Sequence, residues 1–237
     1  MNRRAKTKKK EADTLAPVTS RLANNSRLQT IRLPKQKRGK ERFKTILDAA
    51  ERLLEDMEPA DISIYQIAEE DGVSAQSIYH FFPDAACVYF ALAEHFDDML
   101  FKALETPPTE RPTSWQQLLE DRFAEAGAFY NAHPAARKLI LGTGLSSTIR
   151  ALDLKFNGRA AARAIEELNT YFEMPQIPDF VERLTETIII SDAIWSLSVH
   201  RHGIITEEYH EQAKRARIAY CRTFLPEYVP HKTAKRA

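Results

Sequence analysis

The chain has 237 residues, of which 43 % are hydrophobic, so it is long and apolar enough to build one large domain or two smaller ones. It holds no apolar run of about eighteen residues, and no apolar stretch follows its basic start, so neither a membrane span nor a secretory signal is expected. The formal net charge of +1 conceals an asymmetry: residues 1–44 hold 15 Lys/Arg against 3 Asp/Glu, and the remainder holds 19 against 30.

A basic arm ahead of an acidic body points to a polyanion at the N-terminal end, although a merely solubilising tail would carry the same run. Cys87 and Cys221 lie far apart with no CxxC partner. That argues against a disulfide framework or a zinc cluster and fits a reducing, cytoplasmic setting.

Residues 1–37 contain "KTKKK" and "LPKQKRGK", have few large apolar residues and show no sustained period. They are expected to form a disordered arm. From Glu41 the spacing becomes helical, with Phe43, Ile46, Leu47, Ala50, Leu53, Leu54 and Met57 on one face. Ser63 to Gln66 has the form of a capping box opening a second, short helix backed by Ile64, Ile67 and Ala68. Gly72 stops that helix, because glycine enters the left-handed region without steric cost.

Ser74 caps a third helix, predicted over 74–82, with Ile78, Phe81 and Phe82 on its buried side and Pro83 ending it. Asp84 opens a long fourth helix through Val88, Leu92, Phe96, Met99, Leu100 and Ala103 toward "TPPTERP" at 106–112. Beyond this linker a stripe runs from Trp115 to Tyr130, and further helical segments are predicted over 135–149, 152–172, 179–202 and 206–225. Only seven glycines occur, none in phosphate-loop spacing, and no alternating strands appear. The fold class is all-α. The predicted division is an arm at 1–37, a helix-turn-helix domain at 38–83, a helical regulatory and dimerisation domain at 84–227, and a flexible basic tail at 228–237.

Two short helices joined at Gly72-Val73 have the helix-turn-helix arrangement, whose second helix enters the major groove of double-stranded DNA. Packing Ile67, Ala68, Val73, Ile78 and Phe81 against the first helix leaves Gln76, Ser77, Tyr79 and His80 outside. Glutamine bonds bidentately to adenine and serine serves either base edge. Tyr79 and His80 suit phosphate contacts, and Ser74 at the helix start is a further candidate. Lys44, Ser63, Tyr65 and Ala75 complete the predicted DNA-facing set.

The combination of "ILDAAERLL" at 46–54, "IAEEDGVSAQSIYHFF" at 67–82 and Pro83 resembles the N-terminal domain of the TetR family of bacterial transcriptional regulators. The resemblance covers residues 41–92. It implies a three-helix DNA-binding domain, a larger helical ligand-binding domain, and a homodimer formed by the last two long helices. Two departures stand out. Glu58-Pro59 replaces the glycine usual after the first helix, and Ala85 stands where the family places a phosphate-binding lysine. The long basic arm is the expected substitute for that lysine.

The resemblance also implies a small-molecule effector held between about residues 84 and 205. Candidates for its pocket are His95, Met99, Trp115, Phe123, Phe129, Tyr130, Phe156, Ser191 and Trp195, with Met174 and Arg150 as outliers; an ordinary core would use the same residue types. The segment 186–203 is apolar nearly all round, so it is expected to be buried on every side. Ile189, Ala193, Tyr209, Ala213, Ala216 and Tyr220 form the predicted dimer interface.

An enzyme is not expected. GxSxG, HExxH, phosphate-loop and GxGxxG patterns are absent, His200 and His202 fall on opposite sides of a helix, and no metal or cofactor is implied. The favoured reading is a repressor released from its operator by a small molecule. The rival is a DNA binder controlled by a protein partner or by abundance. A cavity of several hundred Å³ would favour the first, and a solid core the second.

Overall fold

The computed structural model describes residues 31–144 and 147–233. Among these the chain forms nine α-helices and no strand, with one isolated bridge between Phe172 and His231. It divides into two compact units whose boundary falls between His95 and Phe96.

The first unit begins its helical course with α1, Lys37–Asp56, which buries Phe43, Ile46, Leu47, Ala49, Ala50 and Leu54. The helix starts at Lys37 rather than Glu41, and the chain before it is already placed. Ile31 is buried, and the amide of Arg32 donates to the carbonyl of Phe81 at 2.9 Å. Residues 31–36 are therefore no part of a disordered arm, and the rest of the predicted arm, 1–30, lies outside the described residues. Gly39 allows this packing, since a Cβ there would meet the Cβ of Pro34 at 2.9 Å.

After α1 the turn is built around proline. Pro59–Asp61 forms one turn of 3-10 helix, closed by the Asp61 amide on the Glu58 carbonyl at 2.9 Å. A proline at the first position of a helical turn sacrifices no hydrogen bond, which is how this chain dispenses with the glycine.

Helix α2, Ile64–Glu70, opens with the full capping box: Ser63 Oγ accepts from the Gln66 amide, and Gln66 Oε1 accepts from the Ser63 amide at 2.8 Å. Gly72 sits at φ 64°, where a side chain is disfavoured. Helix α3 spans Ala75–Tyr79 only, with Ser74 as its cap. It is shorter than the predicted 74–82 because the Phe81 amide turns back to the carbonyl of Ile78, tightening the chain ahead of Pro83. Phe81 and Phe82 then pack on Phe43, with ring centroids at 5.8 and 4.7 Å. Full burial of each ring contributes about 1.5–3 kcal/mol, which holds so short a helix in place from behind.

Helix α4, Ala85–Leu104, starts on Asp84, whose Oδ1 accepts from the Cys87 amide at 2.8 Å. It runs continuously through the boundary at 95/96, so the predicted boundary at 83/84 lies at the start of this helix and the compact units meet within it. The Tyr89 hydroxyl donates to the carbonyl of Ile62, fastening α4 within the first unit.

The second unit continues with α5, Trp115–Ala132, capped by Ser114, and α6, Pro134–Leu141. It ends with α7, Ser147–Tyr171, α8, Phe180–His202, and α9, Glu207–Cys221. The predicted helix 135–149 is thus two pieces. At Gly142 a Cβ would lie 2.2 Å from the Lys138 carbonyl oxygen, so the chain leaves the helix where only glycine fits. Residues 147–149 belong to α7.

One core cluster joins Trp115, Leu118, Leu119, Leu168, Phe172 and Leu184 to the C-terminal residues Leu225 and Val229. The Trp115 indole donates to the Pro226 carbonyl at 2.9 Å, and the Lys232 amide to the Tyr171 carbonyl at 2.9 Å. Residues 228–233 are accordingly fastened rather than a flexible tail; 234–237 lie outside the described residues. Among the described residues no helix is long and apolar enough to cross a membrane.

Candidate nucleic-acid interface and interior cavity

The first unit presents a compact outward face on α2 and α3. Tyr65 is 69 % and Tyr79 46 % exposed, although aromatic side chains of this size are usually covered. Gln76 and His80 are exposed between them, and the His80 ring leans on Phe81 at 4.9 Å. Ala75 is half-buried at the start of α3 and leaves the backbone approachable.

The serines differ from one another. Ser63 and Ser74 are both engaged as caps. Ser77 is half-buried, and its Oγ shares a 2.9 Å hydrogen bond with Ser74 Oγ, which leaves it less free than Gln76 to meet a base. Lys44 is exposed but pairs with Asp48 at 2.6 Å, so part of its charge is already answered.

The second unit holds a partly open cavity of about 80 Å³ among α4, α5, α7, α8 and α9. Of the predicted pocket residues, Phe123, Tyr130, Phe156, Ser191 and Trp195 line it. The others do not. Trp115 is sealed in the core cluster by its own hydrogen bond, His95 is exposed, Met99 is half-buried elsewhere on α4, and Phe129 packs at a tilt against His133, with centroids 4.4 Å apart. Of the outliers, Met174 packs at the edge of the core cluster and Arg150 pairs with Asp153 at 2.6 Å. The volume is well below the several hundred Å³ expected of a preformed effector site.

Inside, Phe123 stacks on Trp195 with centroids 4.3 Å apart, and the His210 ring stacks on Phe123 at 4.7 Å. Gly127 makes the stack possible: a Cβ there would meet His210 at 3.0 Å and Trp195 at 3.3 Å. Burial pushes the pKa of His210 down, against the pull of Glu207 and Glu211.

The lining also holds charge that sequence reasoning misses. Arg122 is joined to Glu167 by two hydrogen bonds, one of them Nε to Oε2 at 2.9 Å, and reaches Glu125 and the Thr106 carbonyl as well. Those bonds hold its guanidinium above the usual arginine range, against the opposing effect of burial. Asp192 accepts from Asn157 Nδ2 at 2.9 Å, and burial with the nearby Asp153 carboxylate pushes its pKa up to about 7. Burial likewise pushes Asp153 up to about 6 against the pull of Arg150. Arg217 lies 5.2 Å over the Phe123 ring. The sequence does carry a signal: Asp192 stands three residues before Trp195, and Arg217 four after Ala213 and four before Cys221, on the buried stripes of their helices.

The predicted interface residues separate into two groups. Tyr209 and Ala213 are buried within the chain itself, Tyr209 receiving a hydrogen bond from Arg201 at 2.5 Å, so they are not available to a second copy. Their stripe on α9 faces α8 of the same chain. Ile189, Ala216 and Tyr220 are half-buried and Ala193 is exposed. The Tyr220 hydroxyl donates to Glu186. Within the single chain α8 leaves Leu197 41 % exposed; the expectation of burial on every side included a partner chain.

A capped helix-turn-helix with an aromatic and amide outer face, followed by a wholly helical second unit, defines a helical regulator-type architecture. Residues 46–86 match the family of bacterial regulatory proteins described as the tetR family. The HTH-type transcriptional regulator EthR of Mycobacterium tuberculosis is 30 % identical over 128 residues, 51 % of this chain and 59 % of that protein. The chain thus matches somewhat over half the length of this curated relative. A tetR-family transcriptional regulator from Streptomyces coelicolor superposes with a TM-score of 0.61 at 21 % identity, over 77 % of this chain and 81 % of that one. SmeT, the repressor of the Stenotrophomonas maltophilia multidrug efflux pump SmeDEF, does so with 0.58 at 14 %, over 82 % and 96 %. At these identities the two structures establish the fold. Residues 46–86 thus match the tetR family of bacterial regulatory proteins, and the chain shares its helical fold with solved regulators of that family.

Proposed function

We propose that the protein is a homodimeric, ligand-responsive transcriptional repressor that binds double-stranded operator DNA through α3. The carrying observation is the outward row of Tyr65, Gln76, Tyr79 and His80 on a helix pair held rigidly from behind by Phe43, Phe81 and Phe82. Gln76 reads an adenine edge, Tyr65, Tyr79 and His80 meet phosphates, and Ser74 offers its helix start to a further phosphate oxygen. Two copies are needed to span two half-sites, one helical turn of DNA or a multiple apart.

The ligand acts from the second unit. Leu100, Phe101 and Leu104 of α4 line the cavity, and the same helix begins directly after the DNA-binding segment. An effector that favours one position of α4 shifts the operator-binding equilibrium by its differential affinity for the two states. The small volume supports a second reading, in which the core stays filled and control comes from a protein partner or from abundance.

Selection of duplexes from a random library with the purified protein tests the reading. Enrichment of a two-fold symmetric site is expected. A protein that enriches no duplex at moderate salt is not a sequence-specific repressor.

A further inference from the structure

The cavity wall carries a consistent imbalance. Among its lining residues, the buried side-chain atoms without a hydrogen-bond partner are Trp195 Nε1, Arg217 Nε and Arg163 Nε. All three are N–H donors. The lining acceptors are employed: Glu167 by Arg122, Asp192 by Asn157. Ser191 donates to the carbonyls of Thr187 and Ile188 within its own helix. An unsatisfied buried donor is costly, so three in one wall are a standing demand for acceptor oxygens.

Charge points the same way. Arg217 is 7 % exposed and faces a phenylalanine ring, with no carboxylate within ion-pair distance among the described residues. Burial disfavours its charged form, yet a guanidinium stays protonated. Asp192, the nearest candidate to balance it, has its carboxyl pushed up toward neutrality. Phe123, Phe156, Leu100, Leu119 and Ile188 give the wall an apolar part, beside the Arg122–Glu167 pair.

We infer that the cavity binds a compact carboxylic acid with an apolar aromatic or branched body, its carboxylate taken by Arg217 and the Trp195 indole. The inference rests on the ligand-responsive reading above and adds the chemistry of the effector. Entry is at Phe101, the half-buried ring that lines both this cavity and an open outer groove of about 510 Å³. Phe101 packs edge-on against Phe156 at 6.4 Å and lies under the Arg159 guanidinium at 4.7 Å. Rotation of this one ring joins the groove to the cavity; Arg159 and Arg163 line the groove alongside Glu105 and Glu166.

The test is a matched probe set on the full-length protein: benzoate and phenylacetate, against benzamide and benzylamine. Binding is read by thermal shift and tryptophan fluorescence, and operator release on the duplex selected by the protein itself. The two acids are expected to bind and the neutral and cationic probes not to. Arg217→Gln should weaken the acids at least about tenfold, and Arg217→Lys, which keeps the charge, should restore part of that affinity. Acids that bind in this pattern without releasing DNA leave the site standing and overturn ligand-responsive control. Binding confined to benzamide or benzylamine overturns the acid assignment alone and leaves that control intact. If no probe binds, or if Arg217→Gln folds and binds benzoate as the wild type does, the acid assignment is overturned.

Discussion

The backbone amide of Arg32 donates to the carbonyl of Phe81 at 2.9 Å, so the basic N-terminal segment enters the domain beside the end of α3. The carbonyl belongs to the turn directly after His80, and Ile31 is buried next to it. Residues 1–30, which precede this point in the chain, carry eight Lys/Arg against two Asp/Glu.

Deleting residues 1–30, while keeping Ile31 and Arg32, is expected to lower operator affinity and to reduce the salt dependence. For every phosphate that the arm no longer neutralises, the slope of log K against log salt shrinks by about 0.9. Titrations between low and moderate salt check this. An unchanged slope would show that Ala85 is not compensated by the arm.

Gln76 is exposed, whereas Ser77 Oγ is shared with Ser74. Gln76→Ala should therefore cost about 1–3 kcal/mol of discrimination at one base pair and little elsewhere. Tyr79→Phe should weaken all sequences alike, because a hydroxyl that meets a phosphate carries no base information. Affinities for single-base variants of the selected duplex separate the two effects.

Much of the first unit is legible from local chemistry. The capping box at Ser63 and Gln66, Ser74 as a cap, Gly72 at positive φ and the Phe81-Phe82 backing are each decided within a few residues, so spacing alone reveals them. Trp115 and Trp195 show the limit. Both lie on apolar stripes, but only tertiary packing distinguishes the one sealed against Pro226 from the one stacked in the cavity. Arg217 and Asp192 escape for a related reason: charged residues on a helix are read as solvated until the neighbouring helices are known. Tyr209 and Ala213 read as outward-facing because a stripe of small and aromatic residues looks the same whether it meets a second copy or the adjacent helix.

That distinction can be tested with two substitutions. Leu197→Glu alters an exposed residue in line with Ile190 and Ile194 on α8. It should leave the chain folded, with unchanged circular dichroism, while shifting its mass by light scattering from dimer to monomer. Ala213→Glu places a carboxylate at a site with no exposure, where an uncompensated charge costs about 3–5 kcal/mol, and should unfold the chain or lower its melting temperature severely. A folded monomer from Ala213→Glu would restore that residue to the interface.

The carboxyl of Asp192 gives stability a pH dependence of known sign. In the fold its pKa rises to about 7 through burial and the neighbouring Asp153, against 3.8 for an ordinary aspartate. Between about pH 4 and 7 the folded chain keeps this proton while the unfolded chain has released it, so folding takes up a proton. Stability therefore falls as pH rises across that window, by on the order of 1 kcal/mol per unit, and the full penalty is present above it. Asp153, raised to about 6, acts in the same direction over a narrower range. Asp192→Asn keeps an acceptor for Asn157 and removes the titration. Urea midpoints of the two proteins at pH 5, 6, 7 and 8 should diverge with rising pH, the variant gaining on the wild type until about pH 7 and holding its advantage beyond it. Parallel curves would mean that Asp192 is ionised throughout, and Arg217 would then already have its counter-charge.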